Sequence, residues 1–503
     1  MRSRRSPRSS SSSSFRRSCC CSPSAGSSPR PPPAVFDNLK EQTIPERDRP
    51  LIFNAFEMTG VGYYAHGTWT HPRSRREGFT DLAFWLDRAR LFEEGLFDAV
   101  FFADVLGVYD IYRQSPDPAV RNAVDFPLLD PVTVIPAMAA VTRHLGFAVT
   151  VSTTYEHPFA HARRFASLDH LTGGRIGWNV VTSYLPNAAR NFGLSEMPGH
   201  AVRYARAEEF LEVSYKLWEG SWLDDAVLYD KENTVYADPA KVRRINHHGQ
   251  LFHVQGPSLV PPSPQRTPVI YQAGTSERGR AFAGRHAEAV FVNGTNPDAL
   301  AASVTAIRDA TEAAGRRRDD LRVVTDLSVV IGRTEQEAQH KADLVRRSQS
   351  REGALAGFGG ASGIDLSTAS GQERLSPAPG EHSQSEAARF TREKQAPDRV
   401  EDVVRRLTDL SPYSETVVGT PAQVADGISR IAETTGVDGF NLHEFVTPDD
   451  FTEFIESVVP VLQRRGLYRT AYEPGSHRRR LLGAGDRVAD THPAAAFREV
   501  PSP

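Results

Sequence analysis

The sequence predicts a (β/α)8 barrel with two insertions, one after the fourth strand and one after the seventh. Eight short apolar runs have the length and β-branched composition of buried strands. They alternate with segments whose apolar residues recur at helical spacing, and no internal repeat is present. A doubly wound sheet is the alternative. It is disfavoured because no Gly-X-Gly-X-X-Gly motif follows the first run.

The predicted strands and helices alternate along the chain. Strands are expected at residues 51–56, 99–103, 147–152, 175–181, 268–272, 289–292, 323–331 and 437–442. Helices are expected at residues 79–94, 131–143, 158–172, 200–219, 276–286, 297–314, 334–347, 399–410 and 449–465. Thr172-Gly173-Gly174 is a helix stop, and Thr420 before Pro421 is a helix start.

Two stretches interrupt this alternation. Residues 221–267 are rich in proline, glycine and histidine, and we expect an excursion with little regular structure. The second insertion covers about 351–418, and its first part, 351–386, is polar and rich in glycine. Because strand material returns afterwards, this part is predicted to be an active-site lid and not a linker.

The two ends of the chain differ from the rest. Residues 1–49 form a leader rich in arginine, serine and proline, with too little to bury, and we expect it to be disordered. It resembles an organelle transit peptide, but a mis-assigned start is equally compatible, and we expect a cytoplasmic protein. The barrel is assigned to residues 50–472, and residues 473–503 to a C-terminal tail.

Composition excludes several classes of function. The chain has 503 residues, 39% of them hydrophobic and 24% charged, and no apolar run is long enough to cross a membrane. Outside the arginine-rich leader the chain is mildly acidic, which argues against nucleic acid as a partner. The three cysteines are consecutive, at 19–21, so the predicted barrel has no disulfide, cysteine metal site or cysteine nucleophile.

Polar residues at the predicted strand ends are the candidate site residues, since the strand carboxyl ends of a barrel converge on one face. Asp104, Thr150 and Asn179 follow or end strands, without a paired carboxylate. His157 and His161 have chelating spacing, but a packed or solvated role is more common, and we expect no metal site.

A candidate anion site follows the fifth predicted strand. Gly274, Thr275 and Ser276 open a helix, where exposed backbone N–H groups, the helix dipole and two hydroxyls suit a phosphate. A simple N-cap role for Ser276 is equally compatible. His200 and Tyr204 share one helix face and could reach the same phosphate, or could be a cap and a core tyrosine.

Several longer motifs together indicate a family. They are NAFEMTG, GTWTHP, FDAVFFAD, TVSTTYEHPF, LDHLTGGRIGWNVVTSY, RYARAEEF, PVIYQAGTSERGRAFAGRHAEAVF and VVPVLQRRGLYRT. In this order, from about residue 50 to residue 472, they resemble the nitrilotriacetate monooxygenase branch of the bacterial-luciferase-like flavin monooxygenases. That branch includes dibenzothiophene-sulfone, EDTA, pristinamycin and long-chain alkane monooxygenases.

The resemblance implies a barrel that uses reduced FMN, supplied by a separate NAD(P)H:flavin reductase, and O2. In the family, the flavin C4a-(hydro)peroxide transfers one oxygen atom to a small organic substrate. Carried over by position, the residues expected to contact flavin are Asp104, Thr150, Asn179, His200, Tyr204, Thr275 and Ser276, with the last two on the phosphate. No catalytic acid or base is assigned.

The loop after the first strand is expected to face the substrate. It reads Gly60-Val-Gly-Tyr-Tyr-Ala-His66, and His66 and Trp69 are the substrate-side candidates. The alkane branch has a cysteine near this position, so its absence disfavours an alkane and favours a nitrilotriacetate-, sulfone-, thioether- or amine-type substrate. An F420-dependent oxidoreductase and a non-catalytic flavin-binding barrel are the alternative functions. A homodimer or homotetramer is expected.

Overall fold

The eight predicted apolar runs are strands of one closed barrel in the computed structural model, which describes residues 49–62, 65–274, 276–375 and 399–498. Strands β1 to β8 are Ile52–Glu57, Ala99–Phe102, Gly146–Ser152, Ile176–Val181, Val269–Gln272, Ala289–Val292, Arg322–Ile331 and Gly439–His443. Neighbouring strands pair in parallel, and β1 with β8 and β6 with β7 complete the ring. The predicted barrel is confirmed, and the doubly wound alternative is wrong because that sheet would stay open.

The barrel interior contains both aromatic and polar side chains. Phe56, Phe101, Tyr271 and Phe291 pack against one another across the interior. Between the adjacent strands β1 and β8, the Asn54 amide donates to Asn441 Oδ1 at 2.9 Å. Because strand side chains alternate between faces, the inward polar residues of adjacent strands come together at one height.

The helices surround this barrel largely as predicted. Helices α1 to α15 are Leu82–Glu94, Asp117–Asn122, Ile135–Ala140, Pro158–Thr172, Pro186–Asn191, His200–Tyr215, Glu277–His286, Pro297–Ala313, Glu335–Ser348, Arg351–Ser362, Val400–Leu407, Pro421–Thr435, Asp449–Glu453, Val459–Arg464 and His477–Leu482. Gly173 ends α4 in the left-handed region with φ +64°, and Thr420 caps α12. Both terminal signals are therefore confirmed. Among the helices that the structure describes, none has the length and apolar character needed to cross a membrane.

The insertions differ in how well their sequences predict them. The first contains two short hairpins, Val227–Ala237 and His247–Val254, in otherwise irregular chain, as expected. The glycine-rich start of the second insertion, predicted to be a lid, contains a helix that was not predicted: α10 is buried and packs against α2. A short strand, Glu415–Gly419, also pairs with β7 outside the barrel and was not predicted. Residues 376–398 of the second insertion, which include the end of the expected lid, and residues 1–48 of the leader lie outside the described residues.

The segment set apart as a C-terminal tail closes the amino-terminal end of the barrel. Arg478 of α15 is fully buried and binds both carboxylate oxygens of Glu288, at 2.7 and 2.8 Å. The neighbouring His477 is hydrogen-bonded to the hydroxyl of Tyr271 at 2.7 Å. Leu481 joins the interior cluster from below. The segment is thus part of the folded unit that contains the barrel.

A buried ion cluster positions the loop after β1 at the opposite end. Arg76 binds Glu57 at 2.7 Å and Glu444 at 3.3 Å, and Arg88 contacts the same two carboxylates. Arg76 Nε also donates to Gly60 O at 2.9 Å. Because the charges are paired in a water-poor region, the cluster fixes the start of the loop that leads to the substrate-side candidates.

Candidate active site

A cleft opens at the carboxyl ends of the strands. Its volume is about 1350 Å³ including the open mouth. Its walls come from the segments after β2, β4, β5 and β6 and from the start of α6. The lining includes Asp104, Val105, Leu106, Val180 to Leu185, Ala188, His200, Arg203, Tyr204, Gln272 to Gly274, Ser276, Phe282, Phe291 and Asn293. This is the face on which barrel enzymes carry their sites.

One end of the cleft is a compact group of hydroxyl and amide groups. The Tyr204 hydroxyl is hydrogen-bonded to Ser276 and Gln272, and burial raises the pKa of Tyr204. A Cβ atom on Gly274 would lie 2.3 Å from Gln272 Nε2 and 2.7 Å from Tyr204 Oη. Glycine is therefore required here, because any side chain would separate the three polar groups.

Ser276 caps the helix that follows. Its Oγ accepts a hydrogen bond from the Gly279 N–H at 3.1 Å, so the N-cap interpretation is confirmed. The cap places the hydroxyl beside Tyr204 and at the positive end of the α7 dipole, where an anion is stabilised. The phosphate role of Ser276 stays a prediction, and Thr275 lies outside the described residues.

Positive charge surrounds this group. Arg203 is buried and donates to the Ser183 carbonyl, and the Arg278 guanidinium lies 5.9 Å from the centre of the Tyr204 ring. Both charges favour the ionised form of Tyr204. The His200 ring packs at 4.9 Å from the same ring, as their shared helix face predicted. The sequence prediction omitted both arginines, although each lies within two residues of a named candidate.

Asp104 lines the cleft directly after β2. Burial, followed by the negative charge of Asp130, raises the pKa of Asp104 to about 7, although the Val105 N–H favours the carboxylate. Asp104 therefore changes charge near neutral pH inside a cleft whose other end attracts anions.

Thr150 and Asn179 are buried partners on the adjacent strands β3 and β4, and neither lines the cleft. The Asn179 amide donates to Thr150 Oγ1 at 2.8 Å, which links β3 to β4. Within the described part of the chain, Asn179 Oδ1 and the cleft atom Gln272 Oε1 are buried without a hydrogen-bond partner. Unpaired buried acceptors are uncommon in folded proteins, so both are positions for a ligand donor.

The two substrate-side candidates occupy different surroundings. His66 is buried beneath α10, and burial lowers its pKa while the charge of Asp125 opposes this. Trp69 is 41% exposed, and its indole N–H is 3.4 Å from the Asn122 carbonyl. His66 is thus an interior group and Trp69 a surface group, and neither is among the residues that line the cleft.

A hydrogen-bonded chain near His66 was not predicted from the sequence. Tyr184, on the cleft wall, has its hydroxyl 2.8 Å from the hydroxyl of Tyr109, which in turn donates to Asp125 Oδ2 at 3.0 Å. These residues lie in separate loops, and single-sequence patterns do not reveal that they meet.

The histidine pair considered for chelation has other partners. His157 caps α4 by accepting from the Phe159 N–H, and His161 is buried among aromatic rings, including Phe165 and Trp178. Over the residues that the structure describes, no group of three or more histidine, cysteine, aspartate or glutamate side chains is arranged to hold a metal ion.

Comparison with known proteins decides the family. The model of the luciferase-like monooxygenases matches residues 62–439, three quarters of the chain. The chain belongs to the luciferase-like monooxygenase family. It is therefore a flavin-dependent monooxygenase, as the motifs indicated.

Several members of this family match along almost their entire lengths. The long-chain alkane monooxygenase of Geobacillus thermodenitrificans is 49% identical over 456 residues, which cover 90% of this chain and 99% of the relative. The solved structure of the dimethyl-sulfide monooxygenase DmoA from Hyphomicrobium sulfonivorans is 44% identical, with a TM-score of 0.83 and coverage of 90% and 96%.

A riboflavin lyase, solved with modified FMN and riboflavin, is 40% identical, with a TM-score of 0.85 and coverage of 90% and 100%. These luciferase-like relatives are named for different substrates. Similarity alone therefore establishes the family and leaves the branch and the substrate undecided.

Proposed function

We propose that this luciferase-like monooxygenase is the oxygenating component of a two-component system. It takes reduced FMN from a separate NAD(P)H:flavin reductase and uses O2 to oxygenate a small organic substrate. The observation that carries the proposal is the anion-binding end of the cleft, where Tyr204, Ser276 and Gln272 meet two arginines at the start of α7. Such a site suits a phosphate monoester at one end of an elongated cofactor.

The residues present fit FMN. Tyr204 Oη, Ser276 Oγ and the first N–H groups of α7 would hold the phosphate, with His200 beside them. The unpaired Gln272 Oε1 suits a ribityl hydroxyl, and the unpaired Asn179 Oδ1 suits a ring N–H. The FMN-containing structure of the riboflavin lyase supports this assignment through its closely similar fold. Asp104 and Thr150 remain predicted flavin contacts.

Bound reduced FMN would supply the two electrons that activate O2, with one oxygen atom going to the substrate and the other to water. The chain supplies binding, orientation and exclusion of water. Tyr184 and Leu185 of the cleft wall belong to an apolar cluster that α10 and α11 cover, including Phe358 and Val403. This cover gives the predicted lid its function, because a dry site limits loss of activated oxygen as H2O2.

For the substrate, we propose a nitrilotriacetate-, sulfone-, thioether- or amine-type compound, within the nitrilotriacetate monooxygenase branch. The loop after β1 supports this choice over an alkane. A Cβ atom on Gly60 would lie 2.4 Å from Pro127 O and 2.6 Å from Leu128 Cδ2, so the backbone leaves no space for a cysteine. Two relatives are named for an alkane and for dimethyl sulfide, so an alkane and a thioether should both be tested as substrates.

The cofactor proposal is tested by anaerobic titration with reduced FMN. Tyr204→Phe should weaken binding about tenfold, because it removes a hydroxyl from a charged phosphate. Tyr215→Phe is the matched control. It removes a hydroxyl from the same helix, 3.3 Å from His286 Nδ1 and outside the cleft lining, and should leave the affinity unchanged. Equal affinity in both variants would contradict the proposed phosphate site.

The reaction is tested with isotopically labelled O2, NADH, FMN and a partner reductase. We expect one labelled oxygen atom in the product of a thioether, sulfone or amine. Hydride transfer with F420 in the absence of O2 would instead identify the deazaflavin alternative. Flavin binding without any product would identify a non-catalytic barrel.

The proposal also covers the partner reductase, the oligomeric state and the cellular location of the protein. We propose transient or diffusive transfer from the reductase, a homodimer or homotetramer, and a cytoplasmic location. Light scattering of the purified chain tests the oligomeric state. Peptide mapping of the natural N-terminus tests whether the leader is retained.

A further inference from the structure

A chain of hydroxyl groups connects the cleft to a buried carboxyl group. The Tyr184 side chain lines the cleft, its hydroxyl lies 2.8 Å from that of Tyr109, and Tyr109 donates to Asp125 Oδ2 at 3.0 Å. Both distances are those of ordinary O–H···O hydrogen bonds. In the arrangement shown, the Tyr109 proton points to Asp125. A hydroxyl proton turns about its C–O bond, so the chain can instead donate toward the cleft when a neutral Asp125 donates to Tyr109.

The environment of Asp125 favours its neutral form. Its Oδ1 atom is buried without a hydrogen-bond partner, and no lysine or arginine among the described residues forms an ion pair with it. Burial raises the pKa of Asp125, and burial lowers the pKa of the facing His66. The backbone of Asp125 is in the left-handed region, with φ +45°, a conformation that costs free energy and recurs at functional sites.

Helix α10 seals this chain from above. A Cβ atom on Gly360 would lie 2.3 Å from Tyr109 Cδ1, and one on Gly357 would lie 2.6 Å from His66 Nε2. Only glycine lets the helix approach this closely, and Phe358 between them is fully buried. The hydroxyl chain therefore runs beneath a packed cover, where a proton is more easily passed along hydrogen bonds than taken from bulk water.

We propose that Asp125, Tyr109 and Tyr184 form a relay that delivers a proton from the buried carboxyl group to an oxygen atom bound in the cleft. The inference rests on the proposed function, which brings O2 to that cleft. Tyr184 would be the catalytic residue because it lines the cleft, and Tyr109 and Asp125 act through it.

The transfer balances without any further reactant. One O–H bond breaks at Asp125 and one forms at the acceptor oxygen, while each tyrosine gives up one proton and receives another. No electron moves, and the carboxylate keeps the negative charge. Across the proposed reaction, substrate, O2 and reduced FMN yield oxygenated substrate, water and oxidised FMN. The proton is therefore returned from the hydrogens that reduced FMN gives up.

Two other ionisable groups, His66 and Arg203, lie next to the relay. His66 faces Asp125, and Arg203 donates to the carbonyl of Ser183, next to Tyr184. On α10, Glu352 contacts Arg113 and Arg121 at the protein surface. His66 and Arg203 are thus the ionisable groups whose removal would disturb the relay indirectly.

The first test needs no flavin. Infrared difference spectra of wild type against Asp125→Asn, recorded at a pH at which an ordinary aspartate is ionised, should contain the C=O stretch of one neutral carboxylic acid, because burial raises the pKa of Asp125. The difference isolates Asp125 from other buried acids. In Tyr109→Phe the band should remain and shift to higher frequency, because its hydrogen bond is lost. A wild-type spectrum without the band, or a band unmoved by Tyr109→Phe, would overturn the relay.

The second test measures turnover with a substrate that the wild type oxygenates. Tyr109→Phe and Asp125→Asn should each lower turnover about 100-fold and divert O2 to H2O2, with the affinity for reduced FMN unchanged. The wild-type rate should fall as the pH rises through the raised pKa of Asp125, and this limb of the pH profile should vanish in Asp125→Asn. Tyr112→Phe, in the same buried cluster, is the matched control and should keep wild-type turnover and pH profile.

The outcomes separate the two proposals. If Asp125→Asn fails to fold, the turnover of Tyr109→Phe alone tests the relay. Wild type that binds reduced FMN and oxygenates nothing refutes the proposed function. Wild type that oxygenates, with both variants within twofold of its turnover, refutes the relay and leaves the proposed function standing.

Discussion

Hydrogen bonding differs between buried Arg478, at the amino-terminal end of the barrel, and the buried amides of Gln272 and Asn179, nearer the carboxyl end. At the amino-terminal end, the Arg478 guanidinium binds Glu288 with two bonds and also donates to the carbonyls of Thr267, Gln265 and Asp486. At the carboxyl end, acceptor atoms of Gln272 and Asn179 have no partner within the described residues. Both sets are buried by the same fold.

This contrast separates stability from binding. A buried group with every hydrogen bond satisfied needs nothing else, and removing it leaves a costly orphan. A buried group without a partner is stable only because the rest of the fold tolerates it, and it can gain from a ligand. We therefore expect changes at the amino-terminal end to alter folding, and changes at the carboxyl end to alter ligand affinity.

The largest effect is expected at the amino-terminal end. Arg478→Leu leaves the Glu288 carboxylate buried without its cation, which should lower the free energy of unfolding by about 3–5 kcal/mol. Urea titration measures the change. The folded fraction should still bind reduced FMN with wild-type affinity, because the cleft is at the other end of the barrel.

The neighbouring Arg479 provides the control for that experiment. Its side chain is 52% exposed and lies 3.6 Å from Asp486, so Arg479→Leu should change stability by less than about 1 kcal/mol. If both variants were equally stable, the ion pair between Arg478 and Glu288 would not contribute to the stability of the fold. If Arg478→Leu weakened flavin binding in the folded fraction, the two ends would be coupled.

The same contrast explains what the sequence could predict. The strands were predictable because a strand buried on both faces is a short run of apolar residues in the sequence. The anion-binding end of the cleft was predictable because a glycine and two hydroxyl residues open one helix. Helix α10 was missed because its glycines indicate a loop, whereas here they permit close packing on His66 and Tyr109. Its stability comes from distant contacts, not from local propensity.

Pairings over long sequence separation account for the other omissions. Arg478 lies in a run of three arginines that is typical of a surface tail, and its partner Glu288 lies 190 residues earlier. Tyr109 and Tyr184 are 75 residues apart. Nothing in a single sequence shows that such residues meet, because their proximity is created only by the closed ring of strands.

A second, smaller effect is expected at Ser276, which serves both stability and proposed ligand binding. Ser276→Ala removes the N-cap of α7 and a proposed phosphate ligand. The free energy of unfolding should fall by about 1 kcal/mol, and reduced FMN should bind about tenfold more weakly. Chemical denaturation and anaerobic titration measure the two changes.

Thr334→Ala is the matched variant for Ser276→Ala. Thr334 caps α9 by accepting from the Glu337 N–H at 3.1 Å, and it is not part of the cleft lining. It should lower stability by a similar amount and leave the affinity unchanged. Equal losses of affinity in the two variants would show that Ser276 acts only through the fold.

The smallest effect is a pH dependence of binding that originates at Asp104. The pKa of Asp104 is raised to about 7, so its carboxyl group is mostly neutral near pH 6 and mostly charged near pH 8. A negative charge in the cleft opposes an anionic ligand, and the affinity for reduced FMN should fall a few-fold across this range. In Asp104→Asn this component should be absent, while ionisation of the FMN phosphate contributes equally to both proteins. Titrations at each pH give the ratio of the two affinities. A ratio that does not change with pH would mean that Asp104 is already ionised at about pH 6, or lies beyond electrostatic reach of the ligand.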